Sequence, residues 1–179
     1  MARRGTPPRP LMDRFALRFP GMATRINALV TKVVLRLPRR WRLRQTLIED
    51  GTRRAFNAVG RGDLGVMRTV NHPDVVWELS QWEWPEQPLY RGRDGIVRFT
   101  GLWIDQWGEI DFDVVSVDEL EARTAFLVQL CVRAVGRVSG VEAEEDMFKV
   151  VRIRDGLVWR GTFFRDRASA IEAVRAGSA

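Results

Sequence analysis

From Ile110 to Phe164 the chain changes rhythm. Four apolar runs, Ile110–Val117, Thr124–Val135, Val141–Ile153 and Leu157–Phe164, follow one another with no gap long enough for a helix. Arg154-Asp155-Gly156 is the turn between the last two. Strands joined this closely pair antiparallel, because a parallel crossover needs a dozen or more connecting residues. Upstream, the apolar residues keep helical spacing. Ile26, Leu29, Val30, Val33 and Leu37 mark a helix from Ala23 to Leu37, stopped by Pro38. Leu43, Leu47, Ala55, Phe56 and Val59 mark a second from Trp41 to Val59, and Leu64 to Val70 is a short third. "DVVWEL" is a strand, and Ile96, Phe99, Trp103 and Trp107 form one stripe of a longer helix with Asp94 in its first turn. "DRASAIEAVRAG" closes the chain as a helix. Helices segregated from four long strands predict an α+β domain, a curved antiparallel sheet with helices on one face.

Charge divides the chain. Residues 1–45 hold twelve Arg or Lys against Asp13 alone, while the remainder holds seventeen against twenty-two acids. The basic character therefore belongs to an extension, residues 1–40, ahead of a mildly acidic domain, residues 41–179, which lacks a nucleic-acid footprint. "MARRGTPPRP" is a disordered lead-in. The helix after it is amphipathic, too short and too charged to span a bilayer. Its Ile26–Val33 face is expected to pack on the domain or on a second subunit, with contact to an anionic membrane surface as the rival. The single cysteine, Cys131, supports no disulfide framework and points to a reducing, cytoplasmic setting, where it is a small core residue. One His and one Cys cannot build a closed zinc site, no phosphate-binding glycine loop occurs, and no cofactor is expected.

Five phrases, "AFNAVGRGDLGVM", "HPDVVWEL", "YRGRDGI", "VRIRDGLV" and "FFRDRASAIEAV", occur in the order of the SnoaL-like group of the nuclear-transport-factor-like superfamily, which residues Leu47 to Gly177 resemble. The resemblance implies a cystatin-like roll, a curved antiparallel sheet closed by helices into a cone. It implies no single activity, because the superfamily holds isomerases, dehydratases, epoxide hydrolases, polyketide cyclases and proteins without chemistry. His72-Pro73 resembles the family's entry into its first strand and is a turn residue, not a base. Ketosteroid-isomerase-like members place a base late in that strand, where this chain has Leu79, with Glu78 turned to the opposite face. Ala55 and Phe56 stand where that group has a tyrosine, and Lys149 where it has a second acid. Epoxide-hydrolase-like members need two aspartates, but residues 124–141 contain no acid and Phe163 fills the second place. Cyclase-like members need one carboxylate of raised pKa, for which Glu78, Glu144, Glu145 and Asp146 are candidates.

Strand alternation then predicts what lines the interior. The candidates are Trp77, Leu79, Trp82, Phe99, Trp103, Gln129, Met147, Lys149, Trp159 and Phe163, with Trp84 and Tyr90 at the mouth. Such a wall suits a small hydrophobic molecule. Lys149, one of two lysines, needs Glu145 as a partner, a route to water, or a ligand. Two functions follow. One is a small-molecule-binding protein with possible isomerase, cyclase or lyase action on a hydrophobic carbonyl-bearing substrate. The other is a non-catalytic homodimer, formed through the outer face of the sheet, whose basic helix holds a partner or a membrane.

Overall fold

The computed structural model describes residues 9–79, 88–120 and 124–177. Among the described residues, six helices and six strands follow in the order α1 (Leu11–Arg18), α2 (Pro20–Arg36), α3 (Arg42–Gly60), α4 (Leu64–Val70), β1 (Asn71–Glu78), β2 (Leu89–Arg91), α5 (Gly92–Gln106), β3 (Trp107–Glu119), β4 (Ala125–Gly136), β5 (Glu142–Arg154), β6 (Leu157–Phe164) and α6 (Arg167–Arg175). The sheet runs β2-β1-β6-β5-β4-β3, and its last four strands are antiparallel neighbours as the short connections require. β1 departs from that rule and lies parallel to β6, opposite Arg160, Gly161 and Thr162. The long excursion between them supplies the crossover that a parallel pair needs.

Phe99 of α5 sits at the centre of the core. It meets Tyr90 at 4.9 Å, Trp77 and Trp103 at 5.8 Å, and Phe163 at 6.1 Å between ring centroids. Each such pair adds about 0.5–1.5 kcal/mol beyond the area it buries. This cluster locks α5 against the concave face of the sheet, where Ile96, Phe99 and Trp103 are buried as the helical stripe predicts. Trp107 leaves that stripe, because the chain passes into β3 there. Tyr90, expected at the mouth, is instead sealed in the core against Phe99.

A second, smaller core lies on the other face, where α6 covers Leu127, Phe148, Val150 and Phe164. Asp166 caps α6, accepting the backbone N–H of Ser169 at 2.8 Å. At residue 159 the β5–β6 register slips, with Arg152 opposite Arg160 but Ile153 opposite Val158. This bulge takes Trp159 out of the inward row.

The extension is part of the helical layer. Asp13, the single acid of the first 45 residues, is fully buried and binds Arg54 at 2.6 Å and Arg61 in a close ion pair. Asp63 holds Arg61 at 3.1 Å and also pairs with Arg9. α2 docks through Ala23, Asn27 and Val34, with Asn27 donating to the Thr69 hydroxyl at 3.1 Å. The Ile26–Val33 face is thus not the one that meets the domain, and Leu29, Val30 and Val33 remain 64%, 54% and 50% exposed on the single chain. Small and polar residues let α2 approach α4 closely, which a row of large aliphatics does not. At the β5–β6 turn, Gly156 (φ +80°) lies against the Ala28 carbonyl with no room for a Cβ. α1 was not anticipated as a helix, and most of the expected lead-in lies outside the described residues. No helix among the described residues is long and apolar enough to cross a membrane.

Candidate functional site

Between α2, α3 and the concave face lies a cavity of ≈ 260 Å³. α2 supplies Asn27, Val30, Thr31 and Val34; α3 supplies Ile48, Thr52 and Phe56; the sheet supplies Trp77, Phe126, Val128, Lys149 and Val151. Alternation explains the sheet wall. Phe126 and Val128 of β4 share an inward row, as do Lys149 and Val151 of β5, and Val128 stands opposite Lys149. This volume falls just under the about 300–1,000 Å³ common for small-molecule sites.

Lys149 is the anomaly in this wall. It is 3% exposed, and among the described residues no carboxylate or hydrogen-bond acceptor reaches its amine. Its Nζ stands 3.3 Å from the Trp77 ring centroid, 4.5 Å from that of Phe163 and 5.8 Å from that of Phe56. Cation–π contacts of this kind return about 2 kcal/mol when desolvated, against a burial cost of several kcal/mol for an ammonium. Desolvation therefore wins, and burial lowers the Lys149 pKa well below the ordinary lysine value. Gly161 makes the room: a Cβ there would stand 2.6 Å from Lys149 Cε and 3.3 Å from Trp77 Nε1. Among the described residues Trp77 Nε1–H has no acceptor and Asn71 Oδ1 no donor; both atoms are fully buried, and both residues line the cavity through other atoms.

The expected carboxylates are elsewhere. Glu145, the anticipated partner of Lys149, is exposed and lines a different hollow of ≈ 230 Å³ with Trp103, Met147 and Arg165. Glu78 faces outward and binds Arg160 at 3.0 Å. Glu144 binds Arg133 at 3.2 Å and accepts from the Cys131 thiol at 3.4 Å, and Asp146 is exposed. No Asp or Glu among the described residues lines the larger cavity. Cys131 is a buried thiol whose pKa is pushed up, chiefly by burial and then by the Glu144 carboxylate. His72, expected as a turn residue, lies instead at the start of β1, its Nδ1 accepting the Asp74 backbone N–H at 3.1 Å.

The ten residues anticipated from the sequence thus separate. Lys149 and Trp77 line the larger cavity; Trp103 and Met147 line the smaller one. Leu79, Phe99 and Phe163 are close-packed core. Gln129 lies opposite Phe148, in the row that turns away from the concave face, because Val128 and Leu130 take the inward places. Trp159, displaced by the bulge, stacks on Arg154 at 5.1 Å instead of facing the cavity, and Val158 takes its place. Trp82, like Trp84, lies outside the described residues. The sequence reading missed Asn27, Thr31 and Asn71. Asn27 and Thr31 are uncharged polar residues one turn apart on α2, a signal overlooked because the extension was set outside the domain.

A SnoaL-like domain matches residues 52–161 of the chain. Curated proteins offer no match. Among solved structures, TerC co-crystallised with polyporic acid superposes with a TM-score of 0.55 at 19% identity, covering 72% of this chain and 97% of TerC. A putative polyketide cyclase from Xanthomonas campestris pv. campestris gives 0.56 at 21% identity, covering 70% and 96%. A Mycobacterium tuberculosis protein in complex with estradiol-17β-hemisuccinate gives 0.55 at 15% identity, covering 68% and 94%. At these identities the likeness is one of fold.

Proposed function

The chain belongs to the SnoaL-like domain family, and from that membership we propose that the cavity walled by α2, α3 and the concave sheet binds a small, largely apolar, carbonyl-bearing molecule. The observation that carries this is the pairing of an apolar wall with a buried Lys149 amine that has no carboxylate partner among the described residues. A carbonyl oxygen seated there accepts from the Lys149 amine. Apolar walls with a few convergent polar groups are how small-molecule sites fix orientation. That two proteins of this fold have been crystallised with polyporic acid and estradiol-17β-hemisuccinate supports the reading. The isomerase or cyclase chemistry expected of a carboxylate base finds no acid in this cavity among the described residues, where Lys149 is the nucleophilic group.

Equilibrium dialysis of 2-acetonaphthone tests the site. Saturable retention of one molecule per chain is expected, weakened by about 1–3 kcal/mol in Lys149→Met, which leaves the carbonyl unpaired. Absence of saturable retention would sink the reading.

A second reading rests on the outer side of the extension. Leu29 and Val33 are at least half exposed beside Arg25, Lys32 and Arg36, an apolar strip flanked by cations that suits an anionic membrane surface. Leu29→Glu with Val33→Glu should abolish co-sedimentation with phosphatidylserine vesicles, and equal sedimentation of wild type and variant removes it. The anticipated homodimer would use the outer face of β3, where Val115 is 51% exposed; a monomer in sedimentation equilibrium at high micromolar concentration ends that idea.

A further inference from the structure

We propose that Lys149 is a carbonyl-capturing amine, whose Nζ condenses with an aldehyde or ketone of the bound molecule to form an imine; this rests on the reading of the cavity as a ligand site. A lysine kept only for packing would be matched in volume by methionine without an amine to desolvate. Here the amine is kept, and the fold is built around its arm: Gly161 vacates the space that Cε occupies, and three aromatic rings enclose Nζ. No acid on the described cavity wall competes for it, and the other charged lining residue, Arg54, is held by Asp13.

Burial of this kind is what makes a lysine a nucleophile, since the neutral form carries the lone pair. With its pKa well below the ordinary value, Lys149 offers that lone pair at a pH where exposed lysines do not. The Nζ lone pair adds to the carbonyl carbon. The C=O π pair moves to oxygen, which takes one amine proton, giving a carbinolamine. The hydroxyl then leaves with the second N–H proton as water, and the C=N bond forms. Amine plus carbonyl gives imine plus water, with no change of oxidation state.

The chain makes the test readable, because Lys32, 49% exposed, and the N-terminus are the other primary amines. The full chain is incubated with 2-naphthaldehyde and sodium cyanoborohydride at pH 7, retention is followed by dialysis without the reductant, and adducts are mapped by peptide mass spectrometry. The expected result is one adduct per chain at Lys149, at least tenfold over Lys32, suppressed by 2-acetonaphthone and lost in Lys149→Met. Saturable retention without a Lys149 adduct, or equal modification of Lys149 and Lys32, overturns the imine and leaves the cavity reading standing. No retention of either naphthyl probe overturns both. Mapping on the wild-type chain decides the matter even where Lys149→Met fails to fold.

Discussion

Replacing Lys149 with methionine should stabilise the protein, by an amount that depends on pH. In the unfolded chain the amine titrates near 10.5, whereas burial in the fold lowers its pKa well below that. Between the two values the unfolded state binds one more proton than the native state. Native stability then rises with pH, by about 1.4 kcal/mol per unit. The contribution of Lys149 is thus least favourable at low pH and recovers as pH climbs toward 10.5. Methionine fills the slot between Trp77, Phe163 and Gly161 without any titration. The stability gap between variant and wild type should therefore widen on going from pH 9.5 down to pH 7.5, by up to about 2.7 kcal/mol. Urea unfolding followed by tryptophan fluorescence at fixed ionic strength measures it. The raised pKa of Cys131 acts with the opposite sign from about pH 9.0 upward, since the unfolded thiol ionises first, but both proteins share it and the difference cancels it. A gap that stays constant across the interval would refute the reasoning, because the lysine would then titrate alike in both states.

Asp13→Asn leaves Arg54 and Arg61 without their shared buried carboxylate and should cost about 3–5 kcal/mol in chemical denaturation, as breaking a buried pair does. A loss under 1 kcal/mol would mean that α1 is not anchored there. Gly161→Ala puts a methyl 2.6 Å from Lys149 Cε and 3.2 Å from Trp77, so it should reduce 2-acetonaphthone retention at least tenfold while circular dichroism stays unchanged; undiminished retention would place the ligand elsewhere.

The legible parts of this fold were those governed by a local period. Leu157–Phe164 and Leu64–Val70 were delimited to the residue, and the stripe Ile96-Phe99-Trp103 named the face that α5 buries. Alternation along β5 alone was enough to turn Lys149 inward. What escaped depends on register and on long-range packing. The bulge that removes Trp159 lies in the pairing of β5 with β6, which no single strand discloses. Gln129 was placed one residue out of phase, and a one-residue slip reverses the face. The largest omission was the role of the extension. Its charge suggested an appendage, while Asp13, the acid that fastens it, looked like an exception in a basic segment.

The parallel pairing of β1 with β6 also bears on how the chain folds during synthesis. Glu78 and Arg160 meet across 82 residues, and Trp77 finds Gly161 at the same late stage. At about 5–20 residues per second, β1 emerges from a ribosome several seconds before the strand that completes its hydrogen bonds. In that interval one of its edges is open to other chains, and short β2 covers only the opposite edge. Long-range closures of this kind are slow and come late. β6, the strand that joins β1 to β5, is therefore placed among the last events of folding, and a nascent chain stalled before Leu157 would have helices and a partial sheet with β1 still unpaired on that edge.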